Sequence, residues 1–313
     1  MKTKSVEELL GVSKTTLLQK VKNYNLDIPK TLSGQNIFKW EHIIKLIFNE
    51  KYGYIQNLNT KVITVSQNKG GVGKTTSVIN LATGLSYIGK TLVIDLDSQA
   101  NLSQSFDVYL RNEDTSIGDV FDIPELFSKA LVKPKENLHL LPNNLKFEKW
   151  KRMNRNDTKS PFILKKLLKS LKNEYKFILI DTPPALDFAL HIALYASQFC
   201  LIPIEPHPFA LDGISNIIDE IEYISSNDAI ADFNLNILGV FINMFEKNTL
   251  NEQIADTVAE NYPTFNTRIR KAVAIQQSQA VKQPVFEYEE SSNASYDYYN
   301  LLFEIIDKLV GEG

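Results

Sequence analysis

Cysteine is almost missing from this chain: 313 residues contain one, Cys200. A single thiol excludes an internal disulfide framework and any cysteine-built metal cluster within one subunit. Inside the apolar run FCLIPI, Cys200 reads as a small buried hydrophobe. Long apolar runs are missing too. No stretch approaches the roughly 20 residues that cross a bilayer, and the opening MKTKSVEELL has no secretory apolar region. The expectation is a cytoplasmic protein. Neither an internal repeat nor a low-complexity tract occurs, which argues against a solenoid or a disordered chain. A strong excess of one charge is also absent, because the net charge is -3. The balance is uneven, however. Residues 1–61 hold ten Lys and five Asp/Glu, and the remainder holds 24 Lys/Arg and 32 Asp/Glu. A basic piece on an acidic body points to a segregated anion-binding role, although small lysine-rich domains are common.

Two regions separate near residue 60. Residues 5–50 read as short helices around a turn, and 51–60 (KYGYIQNLNT) lose periodicity and read as a linker. From Lys61 onward, short β-branched strands alternate with amphipathic helices. The strands are expected at 62–66, 91–95, 138–141, 177–181, 199–204 and 237–243. Continuous apolar strands bounded by helices predict a parallel sheet covered on both faces, a doubly wound α/β domain. Ligands of such sheets bind outside the strand C-termini. The expected division is a small domain and linker at 1–57 and an α/β domain at 58–313.

The first strand runs into Gln67-Asn68-Lys69-Gly70-Gly71-Val72-Gly73-Lys74-Thr75-Thr76, and a helix follows. Glycines let backbone N–H groups turn inward around an anion, and the helix N-terminus adds partial positive charge. Lys74 is placed to reach β/γ-phosphates and the Thr75 hydroxyl to bind Mg²⁺. The ordinary G-x-x-x-x-G-K-[ST] pattern would put its first glycine at Asn68. What stands instead is KGGVGKTT, with Lys69 as an extra lysine. The second strand ends in Asp95-Leu96-Asp97-Ser98-Gln99-Ala100-Asn101, two carboxylates at the phosphate edge of the sheet. A carboxylate there holds metal-bound water or orients an attacking water. FILID-TPP places Asp181 at another strand end, the position of a carboxylate near nucleotide-bound Mg²⁺.

These boxes together resemble the ParA/MinD/nitrogenase-iron-protein family, over roughly residues 61–310. The resemblance implies a Mg²⁺-dependent ATPase whose first loop lysine, Lys69, reaches across a nucleotide-sandwiched homodimer. Catalysis then rests on Lys69, Lys74 and Asp97, and the metal on Thr75, Asp97 and Asp181. The phosphate loop from Lys69 to Thr76 binds ATP. Ser98 stands where the family has proline. Asn243, after GVFI, and Glu205 with Pro206 (PIEPHP) correspond to the family's adenine-binding positions, although Glu205 and Pro206 also suit plain loop roles.

At the N-terminus, VEELLGVSKTTLLQKVKNYNL has the rhythm of a helix-turn-helix. Val6, Leu9 and Leu10 form one apolar face. Gly11 makes the turn, Ser13 caps the next helix, and Leu17, Leu18 and Val21 face inward. Lys14, Thr15, Thr16, Gln19, Lys20 and Lys22 face out, suited to phosphates and base edges. With a wing over 29–40 and a third helix over 41–50, this resembles the winged or MerR-like domain of partition ATPases that repress their own operon. A helical docking domain would look similar.

Arg268, Arg270 and Lys271 correspond to a basic stretch that holds nonspecific DNA in the family's ATP dimer. A solvated helix face would also carry such charge. Lys149–Lys159 (KWKRMNRNDTK) is a second basic cluster, with Trp150. Tyr288, Tyr296, Tyr298 and Tyr299 read as packing for the last helix rather than as a tyrosine-kinase cluster. The resemblance implies a nucleoid-associated protein that binds DNA, a homodimer and a ParB-like centromere-binding partner. A membrane-binding MinD-like role is disfavoured, because the tail NLLFEIIDKLVGEG carries one lysine, Lys308, among several acids. An iron–sulfur reductase needs two cysteines per subunit.

Overall fold

The computed structural model describes residues 1–48, 51–171, 173–226 and 234–311. Eight strands form one sheet: β1 Lys61–Val65, β2 Thr91–Asp95, β3 Val132–Lys135, β4 Leu138–Leu141, β5 Phe177–Asp181, β6 Phe199–Ile204, β7 Asn236–Phe245 and β8 Thr264–Arg270. Their order is β3-β4-β2-β5-β1-β6-β7-β8. All pairs are parallel except β3 with β4. The central strands β2, β4, β5 and β6 are buried along their whole length, as apolar runs covered on both faces must be. One apolar layer gathers the helix Lys74–Ser86 and the last helix, Asn293–Gly311; another gathers the helices Lys146–Asn154 and Ile163–Ser170. The chain winds outward from β1 through β2, and after β5 it crosses to β6 on the other side. The strand order therefore reverses at β1, where a crevice opens at the strand C-termini.

All six expected strands are present, within about two residues at each end. Two more went unread. β3 is a short antiparallel edge strand, and β8 is the other edge. β8 has its exposed N–H groups covered: the Glu304 carboxylate accepts from Asn266 N and Thr267 N, both at 2.8 Å. That seals part of an edge that would otherwise invite strand pairing.

The N-terminal unit has helices Thr3–Leu10, Lys14–Asn23, Trp40–Phe48 and Tyr52–Gln56. Gly11 turns the chain with φ +61°, and Ser13 Oγ accepts from Thr16 N at 3.2 Å. The bridge Lys30–Asn36 closes a short hairpin between the second and third helices, and the bridge Lys2–Ile37 ties it to the residue before the first helix. Val6 and Leu17 are fully buried, but Leu18 is exposed, against expectation, because it sits one residue round the helix from the inward face. Nor is 51–60 a free linker. Ile55 is fully buried, and Lys176 Nζ donates to the carbonyls of Ile55 (3.0 Å) and Gln56 (2.9 Å). The unit shares one apolar cluster with the α/β body. Phe48 packs edge-on against Phe303, and Tyr296 Oη donates to Glu8 at 2.6 Å. Residues 49–50 of the expected third helix lie outside the described residues.

Candidate nucleotide site

The crevice at β1 holds a cleft of about 510 Å³ whose walls include Gly70, Gly71, Gly73, Lys74, Thr75, Thr76 and Asp97. Gly71 and Gly73 adopt left-handed φ of +78° and +85°, which side-chain-bearing residues rarely adopt. Gly73 is doubly constrained: a Cβ there would lie 2.2 Å from Asn243 Nδ2. A Cβ on Gly71 would meet nothing within 4 Å, so the loop is open on the side where an anion would enter. Lys74 begins the following helix and is buried, and its ammonium donates to the Lys69 carbonyl at 3.1 Å. Burial pulls its pKa down, partly countered by Asp181 and Asp97. A desolvated ammonium with one carbonyl partner is poised for phosphate oxygens.

Two strand ends bring the acids in, β2 with Asp95 and Asp97 and β5 with Asp181. Thr75 Oγ1 donates to Asp181 Oδ2 at 2.7 Å, and Asp181 Oδ1 is buried without a partner. Burial, reinforced by Asp95, pushes the Asp181 pKa well up. An orphaned buried acceptor costs free energy, so this carboxylate suits a cation or a cation-bound water. No group of three metal-ligating side chains occurs among the described residues. Mg²⁺ keeps its waters and takes few protein ligands alongside phosphates, so a hydroxyl and carboxylates at one edge suffice for it. Thr75 would hold it, with Asp181 and Asp97 alongside.

Asp95 and Asp97 divide the work of their loop. Asp95 accepts from Asp97 N, Ser103 N and Ser103 Oγ, and thereby ties the loop to the helix Asn101–Ser105. Asp97 faces the cleft; its Oδ1 accepts from Gln99 N, which leaves Oδ2 open. Beyond, Thr182, which donates to the Val65 carbonyl, and Pro184 line the cleft. Asp187 then caps the next helix by accepting from Ala189 N and Leu190 N.

Several expected residues sit elsewhere. Asn243 is buried behind the loop: its Nδ2 donates to the Val72 carbonyl at 2.8 Å and its Oδ1 accepts from Met244 N. Both polar atoms brace the phosphate loop, and Met244 lines the cleft instead. Neither Glu205 nor Pro206 lines the cleft. Glu205 pairs with Lys69 at 3.2 Å, so Lys69 points away from its own loop. Arg268 pairs with Glu252 and Asp256, Arg270 with Asp297, and Lys271 with Glu246. The first two belong to β8, not to a helix, and all three are met by carboxylates. Lys14, Thr15, Thr16, Gln19 and Lys22 are exposed on their helix, and Lys20 is half-buried.

The sequence pattern did not disclose the outer wall. Tyr109, Gln104, Gln279 and Lys282 line it. Lys282 Nζ donates to Asp107 at 2.5 Å and lies 4.6 Å from the centre of the Tyr109 ring. Gln279 Nε2 donates to Thr76 Oγ1 at 2.5 Å. The available signal was backbone conformation: Asp107 and Lys282 both adopt positive φ without being glycine.

A family model described as an AAA domain matches residues 60–237. The chain is 28% identical to the virulence plasmid ParA family protein pGP5-D of Chlamydia psittaci, covering 80% of this chain and 96% of that one. It is 30% identical to a ParA family protein of Chlamydia muridarum, covering 79% and 97%. A cobyrinic acid a,c-diamide synthase from Mycobacterium smegmatis, solved with an ATP analogue and magnesium, matches with a TM-score of 0.62 at 26% identity, covering 74% and 92%.

Proposed function

The chain belongs to the ParA family, and from that premise we propose that it uses ATP and Mg²⁺ to drive DNA partition through a nucleotide-sandwiched homodimer. The observation that carries this reading is the division of labour between two lysines of one loop. Lys74 is buried at its own cleft, whereas Lys69 is half-exposed and turned outward to Glu205. A lysine serving only its own nucleotide would have no reason to lie outside it.

The residues act as follows. The N–H groups of Gly70 to Thr76 and the Lys74 ammonium hold the phosphates, and Asn243 keeps the loop in shape from behind. Bound Mg²⁺ neutralises phosphate charge. Asp97, with one oxygen free, accepts the proton side of the attacking water and fixes its approach. Lys69 leaves Glu205 and places its charge on the partner's phosphates. The ATP dimer binds nonspecific DNA, and a ParB-like centromere-binding partner stimulates hydrolysis and release. The exposed face of the helix Lys14–Asn23 reads the operator, through Lys14, Thr15, Thr16, Gln19 and Lys22, with Lys20 at its margin. The exposed donors on that face support this second role, and both roles put the protein at the nucleoid.

Lys69→Ala tests the reading. The variant should bind ATP as a monomer, fail to dimerise with a non-hydrolysable analogue in light scattering, and lose hydrolysis. A dimer as tight as wild type would refute the cross-interface role.

A further inference from the structure

Between Lys146 and Lys169 the sequence holds nine Lys or Arg and only two acids, Glu148 and Asp157. This is the densest cationic stretch in an otherwise acidic body. The structure sorts these residues by face. On the helix Lys146–Asn154, Phe147, Trp150 and Lys151 turn inward, while Lys149 and Arg152 are exposed. On the helix Ile163–Ser170, Leu164, Leu167 and Leu168 are buried, while Lys166 and Lys169 are exposed. Each exposed pair is spaced i, i+3 and so shares one helix face. Both helices belong to one apolar cluster on one face of the sheet, and both pack against the helix Ile117–Asp122.

The acids of this stretch are spent locally. Glu148 pairs with Lys151 at 2.9 Å, and Asp157 accepts from Lys159 N and Ser160 Oγ. Lys149, Arg152, Lys166 and Lys169 have no ion pair among the described residues. Arg268, Arg270 and Lys271 each have a carboxylate, so an incoming phosphate would have to displace it.

We propose that the outer face of these two helices, carrying Lys149, Arg152, Lys166 and Lys169, is the surface that holds the phosphate backbone of duplex DNA. This rests on the DNA-partition reading and says where the DNA sits. Apart from Met153, which is 72% exposed, the large apolar side chains of both helices turn toward the core, and one methionine does not make an amphipathic face for a lipid interface. The aromatic of the stretch is unavailable for base stacking: Trp150 is buried and stacks on Phe147 with ring centres 5.7 Å apart. What remains is exposed positive charge with no ion pair among the described residues, which binds phosphates without reading sequence. Two such faces in a dimer would act together and raise the apparent affinity.

The test uses full-length protein in two charge-reversed forms, Lys149→Glu/Arg152→Glu and Lys166→Glu/Lys169→Glu. Fluorescence anisotropy follows binding to a labelled duplex of arbitrary sequence, with a non-hydrolysable ATP analogue, across a salt series. Each form should bind at least tenfold more weakly. The salt slope should fall by roughly two, at about 0.9 for each phosphate that is no longer neutralised. ATP hydrolysis without DNA should be unchanged, which keeps a folding failure separate. Lys271→Glu should stay within about twofold of wild type. Wild-type affinity and slope in both reversed forms would overturn the placement. Absence of duplex binding by the wild type would overturn the partition reading with it. Retention on anionic phospholipid vesicles in place of duplex, or tighter binding of duplex RNA, would also overturn it.

Discussion

Two stretches of this chain cluster cations, and they are built in opposite ways. On β8 and just after it, Arg268, Arg270 and Lys271 meet Glu252, Asp256, Asp297 and Glu246. Between Lys146 and Lys169, Lys149, Arg152, Lys166 and Lys169 meet no carboxylate among the described residues, and the one buried lysine takes two. Lys151 bridges Glu148 at 2.9 Å and Asp187 at 2.8 Å. The contrast teaches that a basic sequence is not a basic surface. Pairing decides whether a cation holds the fold together or waits for an anion, and pairing is a tertiary property.

Substitutions graded by pairing can break this contrast. The largest loss of stability is expected for Arg270→Ala. Its guanidinium and its backbone N–H both donate to Asp297, whose side chain is only 9% exposed. Removing the guanidinium leaves that carboxylate with the backbone N–H of residue 270, and urea denaturation should show a loss of about 2–3 kcal/mol, below a fully buried pair because the arginine itself is half-exposed. A loss under about 0.5 kcal/mol would show that the pair does not contribute.

Lys151→Met should cost less, about 1–2 kcal/mol in the same measurement. The methionine refills most of the stem's volume, and the two carboxylates it leaves are partly solvated. A cost above that of Arg270→Ala would mean that the link to Asp187, the cap of the helix after Asp181-Thr182-Pro183-Pro184, matters more than burial alone implies.

Arg268→Gln should cost about 0.5–1 kcal/mol. The arginine gives up two surface pairs and a position 4.9 Å from the centre of the Phe245 ring. The smallest effect belongs to Lys149→Glu and Lys166→Glu, each within about 0.5 kcal/mol of wild type. If either destabilised the protein as much as Arg270→Ala, these lysines would be structural and the contrast would collapse.

The phosphate site was legible because its chemistry is local. Gly71 and Gly73 need the backbone freedom that glycine has, and Lys74 with Thr75 opens the helix that follows. Asp95 and Asp181 end apolar strands, with Asp97 two residues past the first, where a parallel sheet exposes its ligand edge. β8 was not legible for an equally physical reason. In TFNTRIR the buried residues are Phe265 and Ile269, spaced by four, which fits a helix as well as a strand. The 51–60 segment was misread because a single apolar anchor, Ile55, gives no period to detect. Asn243 was visible at a strand end, but its partner, the Val72 carbonyl, lies 171 residues away in sequence.

The sequence by itself determined the α/β architecture, the phosphate loop and the identity of the acids beside it. Periodicity, glycine conformation and strand-end placement act over a few residues and need no knowledge of what packs where. Only the tertiary structure decided that Lys69 faces Glu205 and that Asn243 braces the loop. It alone decided that Arg268, Arg270 and Lys271 are neutralised while Lys149, Arg152, Lys166 and Lys169 have no ion pair among the described residues. Each of these depends on how distant segments come together. The energies involved depend on separation and desolvation, and those quantities exist only once the chain has folded.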